Sequence, residues 1–186
     1  MDKRKEANLR VKNSITEALL KLMHEKSFSD ISISEIIREA DVARVSFYRN
    51  YDSKDDVLLT LIDDVLEQYR DMIDCNGADY YTYHNVRRSF EYFKKYDSFV
   101  LDLYQFGYGS ILLERLNWFH EQIAGTMSSK SIEKYQLYMY IGALYNTAIV
   151  WLQSGATESI EDITCMFCKM CGISCAISGK YNYWEI

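Results

Sequence analysis

The residues best equipped for chemistry fall in two runs. The first is Arg44-Val45-Ser46-Phe47-Tyr48-Arg49-Asn50-Tyr51. On a helix, Phe47 and Tyr51 stand four apart and share one face. Burying that face turns Arg44, Ser46, Tyr48, Arg49 and Asn50 outward. Arg can read guanine edges, Asn can read adenine, and Ser and Tyr hydroxyls can hold phosphates. Cations precede the run at Lys3, Arg4, Lys5, Arg10 and Lys12, and Lys54 follows it. The second run is Cys165-x2-Cys168-x2-Cys171-x3-Cys175, the spacing of a bacterial iron–sulfur motif without its final proline. On a helix the four thiols fall on one stripe. A straight helix cannot wrap around a cluster, so packing as small buried hydrophobes is the expected use. A thiol- or iron–sulfur-based redox sensor is the alternative.

The elements that must position the first run are legible. Ser32 and Glu35 form an S-x-x-E capping box, with Ile31 and Ile36 placed as a hydrophobic staple. They predict a short helix from Ile33 to about Ala40. Asp41-Val42-Ala43 makes a tight turn whose corner Val42 can close, and a second short helix follows from Arg44 to about Tyr51. Two short helices joined by a three-residue turn make a helix-turn-helix. Upstream, Val11, Ile15, Ala18, Leu19, Leu22 and Met23 mark a helix of about Asn8–Lys26. Downstream, Ser53 and Asp56 open a helix whose apolar face runs from Val57 to Ile73, with Asn76-Gly77 as its stop. Further helices are expected at about 85–96, 99–106, 109–127, 132–154 and 160–177, with no convincing strand.

Composition agrees. The 186 residues contain no proline and eight glycines, and 48% are apolar. That favours a helical globular chain and excludes a wholly disordered one. Residues 1–51 carry a net charge of +2 and the rest −8. An acidic body repels nucleic acid at long range, so any contact with DNA belongs to the basic end. Five cysteines without a secretory leader point to reduced thiols and a cytoplasmic location. The longest apolar stretch, Tyr138 to Leu152, is 15 residues and too short to span a bilayer. No P-loop, nucleophile elbow or two-His metal motif is present, so neither an enzyme nor a cofactor is expected.

Residues 8–62 resemble the DNA-binding domain of the TetR family of bacterial transcriptional regulators. The string Ile36-Ile37-Arg38-Glu39-Ala40-Asp41-Val42 through Tyr48…Tyr51…Ser53-Lys54 to Leu58 carries the likeness. The resemblance implies that Arg44, Val45 and Tyr48 lie at the groove and that Ser32, Ser46, Asn50 and Lys54 hold phosphates. It also implies a homodimer on a palindromic double-stranded operator, usually a repressor released by a small ligand. Asp41 stands where the family prefers Gly, at a site that wants positive φ. Ala43 stands where Ser or Thr usually caps the recognition helix.

The implied fold is all-α: a three-helix helix-turn-helix domain over residues 1–54 and a helical ligand-binding and dimerisation domain over 55–186. Tyr140 to Gly155 and Ile160-Glu161-Asp162-Ile163 resemble the last two helices of one TetR subgroup, which pair with their twins as a four-helix bundle. Trp151, Ile163, Phe167, Met170, Cys171 and Ser174 are the expected dimer residues. The aromatic excess has a candidate use. Tyr69, Tyr92, Tyr96, Tyr104, Tyr108, Trp118, Tyr138 and Tyr145 could line a cavity between helices, suited to flat or cationic effectors. His84 and His120 are each isolated, and a structural role is expected of both.

Overall fold

The computed structural model describes residues 3–70, 72, 80–124 and 131–175. It is all-α, with nine α-helices, one 3-10 turn and no strand among the described residues. The first helix, α1 (Lys3–Glu25), buries Ile15, Ala18, Leu19, Leu22 and Met23. It starts earlier than the apolar stripe alone suggests, because Lys, Arg, Glu and Ala are good helix formers. Phe28–Asp30 form the 3-10 turn. Then come α2 (Ile33–Glu39) and α3 (Arg44–Asn50), which pack against α1. Ile36 and Phe47 are both fully buried.

The long α4 (Lys54–Arg70) crosses the expected domain boundary, burying Val57 and Leu58 near its start and Ile62, Leu66 and Tyr69 further along. The Ser53 hydroxyl caps it by accepting from the Asp56 N–H at 3.0 Å. The rest of the described chain is α5 (Tyr83–Lys95), α6 (Asp97–Gln105), α7 (Gly109–Ala124), α8 (Ile132–Gln153) and α9 (Ile160–Met170). Thr82, Ser131 and Ser159 cap α5, α8 and α9 through their hydroxyls. Helices α5 and α9 pack together, α7 lies along α8, and α4 contacts α7. One hydrophobic core runs through the helix-turn-helix unit and the body. Among the described residues no helix is long and apolar enough to cross a membrane.

The last helix is shorter than the expected 160–177. It ends at Met170, where Cys171 caps it and Gly172 at φ +69° turns the chain. The Ile173 N–H then closes on the Cys168 carbonyl at 2.8 Å, so a left-handed glycine cap overrides the apolar period. Ile73, the expected Asn76-Gly77 stop and Met127 lie outside the described residues.

Candidate nucleic-acid interface

The capping box at α2 forms as its spacing requires. The Ser32 hydroxyl accepts from the Glu35 N–H, and the Glu35 carboxylate accepts from the Ser32 N–H at 3.0 Å. Lys26 lies 2.6 Å from the same carboxylate. Its ammonium and the Ser32 donors hold the Glu35 carboxyl at about 2, well below the usual range. At the turn Asp41 takes φ +50°, the left-handed geometry that glycine adopts without strain. The Val42 N–H reaches back to the Ile37 carbonyl. Ala43 is the N-cap of α3 and offers no side-chain acceptor.

Helix α3 is anchored by one face and offers the other. Phe47 and Tyr51 are buried, with Lys12 over the Tyr51 ring. Arg44, Val45, Tyr48 and Arg49 are exposed, and Val45 keeps 65% of its surface. Arg44 lies over the Tyr48 ring, 5.5 Å from its centroid, and reaches the Tyr48 hydroxyl at 3.4 Å. The outward ridge is thus a stacked Arg–Tyr pair flanked by an exposed valine and a second arginine. Lys3, Lys5 and Arg10 are exposed on α1.

Three expected phosphate holders have other tasks. The Lys54 ammonium donates to the carbonyls of Phe28, Ser29 and Ile31 at 2.6, 3.1 and 2.8 Å, which uses its three donors. The Asn50 amide turns back to the Ser46 carbonyl at 2.8 Å, and the Ser32 hydroxyl is taken by the capping box. Ser46 is half-buried. For Ser32 and Lys54 the reason is shared: the end of a helix or 3-10 turn leaves backbone groups open, and a nearby polar side chain satisfies them first.

Behind this unit the body holds a narrow slot of about 30 Å³ between α4, α5, α6, α7 and α8. Four of the eight aromatic residues expected around a cavity line it: Tyr69, Tyr92, Tyr96 and Tyr145. The other four do not. Tyr104, Trp118 and Tyr138 are exposed on outer faces, and Tyr108 packs edge-on to Phe28. Trp118 and Tyr138 instead line a separate open groove between α7 and α8, and Tyr108 lies in the link before α7. His120, expected to be structural, is buried with its Nδ1 engaged by the Tyr80 hydroxyl, and it also lines the slot. Its signal was the row Leu112, Leu116, His120, four residues apart on α7. Burial drops its imidazole to about 3, so it is neutral.

The expected dimer residues also divide. Trp151 and Phe167 lie inside the protomer: both rings pack against Phe90, and the Trp151 indole donates to the Glu158 carbonyl at 3.2 Å. Ile163 is half-buried, while Met170, Cys171 and Ser174 are exposed. A stripe missed in the sequence reading runs along the outside of α8 through Ile132, Tyr135, Met139 and Val150, all exposed. Its steps of three, four and eleven residues keep to one helix face, but α8 is apolar on most sides, and periodicity alone does not say which face is covered.

The thiols do not share one helix. Cys168 is buried, Cys171 is exposed at the cap, and Cys175 folds back to within 3.9 Å of the Cys165 carbonyl. Burial pushes Cys165 and Cys171 upward, and Cys168 to about 12. Little thiolate forms under those conditions. Among the described residues no group of three or more His, Cys, Asp or Glu side chains is arranged to hold a metal ion.

Comparison with known proteins fits this geometry. Residues 15–61 match the family model for bacterial regulatory proteins of the tetR family. The chain is 35% identical over 71 residues to an uncharacterized HTH-type transcriptional regulator of Haemophilus influenzae, covering 34% of this chain and 35% of that protein. It therefore spans about a third of that relative's length. The whole fold is similar to a TetR transcriptional regulator from Streptococcus agalactiae (TM-score 0.63, 17% identity, 90% of this chain and 97% of the other). It is also similar to the fatty acid degradation regulator FadR from Bacillus halodurans (TM-score 0.56, 16% identity, 87% and 94%). Residues 15–61 thus carry a helix-turn-helix segment similar to that of the bacterial regulatory proteins of the tetR family.

Proposed function

We propose that the chain is a transcriptional regulator that binds a palindromic DNA operator as a homodimer, and that it is a repressor released when a small effector enters the slot. The observation that carries this reading is the outward ridge of α3. Arg44, Val45, Tyr48 and Arg49 are exposed together while Phe47 and Tyr51 hold the helix to the core. Arginine suits guanine, and an apolar side chain suits the thymine methyl. Lys3 and Lys5 extend the cationic surface along α1. Residues 1–54 form the reading head in this account and 55–186 the body.

The exposed apolar stripe on α8, with Met166 and Met170 of α9, supports the homodimer. Val150, Ile163 and Met166 flank one open groove between the two helices. A second copy covering this face would set two reading heads at a fixed spacing, as a palindrome demands.

Helix α4 supports the coupling. Its first residue, Lys54, holds the turn before α2, and its middle, from Ile62 to Tyr69, walls the slot. Widening the slot displaces α4 and with it the reading head. Selection of duplexes from a random pool tests the reading. It predicts enrichment of an inverted repeat, and recovery of no preferred sequence contradicts it.

A further inference from the structure

We propose that the slot takes an uncharged, largely apolar molecule with a single hydrogen-bonding group, which seats against His120. The inference rests on the regulator reading only in calling that molecule the effector; binding itself does not depend on DNA.

The walls exclude charge. Among the described residues no Asp, Glu, Lys or Arg lines the slot, so a carboxylate or ammonium entering it would lose its hydration without a charged partner there. The tyrosines present carbon, because their hydroxyls are already engaged. Tyr92 donates to the Val65 carbonyl, Tyr145 to the Gly109 carbonyl at 3.0 Å, and Tyr96 to Gln68 Oε1 at 2.7 Å. Tyr69 and Ser89 bond each other, and Ser89 also donates to the Asn85 carbonyl. The ring faces remain open to a cation, but a cation–π contact worth about 2 kcal/mol does not repay burying an ammonium with no counter-charge beside it.

His120 differs from these groups. Its Nδ1 is engaged by the Tyr80 hydroxyl, so a ligand in the slot would have to use Nε2. The residue is 2% exposed and neutral, so it offers one hydrogen bond inside an otherwise apolar space, the usual make-up of a small-molecule site. At about 30 Å³ the slot holds only a water or two. A ligand must therefore part its walls, and α4 is one of them.

Three molecules of one skeleton test this on the full chain at pH 7.5: 2-phenylethanol, phenylacetate and 2-phenylethylamine, followed by thermal shift and saturation-transfer NMR at equal millimolar concentrations. The alcohol is expected to bind, and the anion and cation at least tenfold more weakly. His120→Phe is expected to weaken the alcohol about tenfold, His120→Gln to keep it within a few-fold, and Leu144→Trp to block it by filling the slot. If His120→Phe does not fold, the Gln and Trp variants carry the test. No binding of the alcohol, equal binding of a charged analogue, or indifference to both His120→Phe and Leu144→Trp overturns the proposal. Duplex binding measured on the same ligand-free sample separates the two readings. Its loss overturns the regulator and leaves the slot result standing.

Discussion

The Lys54 ammonium lies 2.6 Å from the carbonyl oxygen of Phe28 and 2.8 Å from that of Ile31, tying the start of α4 to the turn that precedes α2. A cation so placed acts on the fold of the reading head. Lys54→Met is expected to lower stability by about 2 kcal/mol, the scale of lost charge-assisted hydrogen bonds. The salt dependence of DNA binding should stay unchanged. A log–log salt slope smaller by about one, with unaltered melting, would assign Lys54 to a phosphate instead.

The turn between α2 and α3 carries two local costs. Asp41 holds φ +50° and Ala43 caps α3 with no side-chain acceptor. Asp41→Gly and Ala43→Ser are each expected to stabilise the protein, by up to about 1 kcal/mol. The sites lie two residues apart, so their sum needs a double-mutant cycle. Denaturant midpoints check it, and a destabilising Ala43→Ser contradicts the cap reading.

Ser32, Glu35, Phe47 and Tyr51 were readable from sequence because their roles depend on spacing within one or two turns. The unexpected task of Lys54 was not, because its acceptors lie 23 to 26 residues earlier in the chain. The same limit explains the body. Helix positions could be placed from periodicity, but Trp151 and Val150 are neighbours on α8, and only the packing of Phe90 onto Trp151 shows which of them is interior. The place of His120 beside the slot was not readable, because an isolated histidine carries no motif. Its meaning comes from the tyrosines that α4, α5 and α8 bring around it.

His120 makes stability depend on pH. In the unfolded chain it takes a proton near pH 6.5, and in the folded protein only near 3. Stability from this group is therefore complete above pH 6.5 and falls as pH drops from 6.5 toward 3, at about 1.4 kcal/mol per unit. Between pH 6.5 and 5, above the usual carboxylate range, His120→Gln should flatten the curve relative to the parent. Parallel curves for the two proteins in that window contradict the burial of a neutral imidazole.

Val150 is 61% exposed and Met139 69% exposed on the outer stripe of α8. Replacing both with Glu is expected to leave a folded monomer by sedimentation velocity. Operator affinity should fall at least about 100-fold, because one reading head loses the tethering of the other. A dimer that persists in the double variant places the interface elsewhere.

The most direct test of the central claim is a fluorescence-anisotropy titration of a selected palindromic duplex, run from low to physiological salt with the parent, Arg44→Ala and Arg49→Ala. The account predicts tight, steeply salt-dependent binding by the parent. Arg44→Ala should lose about 1–3 kcal/mol and discriminate less between bases at its position. Parent binding that ignores sequence, or an Arg44→Ala/Arg49→Ala pair that binds as the parent does, contradicts the assignment of α3 as the reading surface.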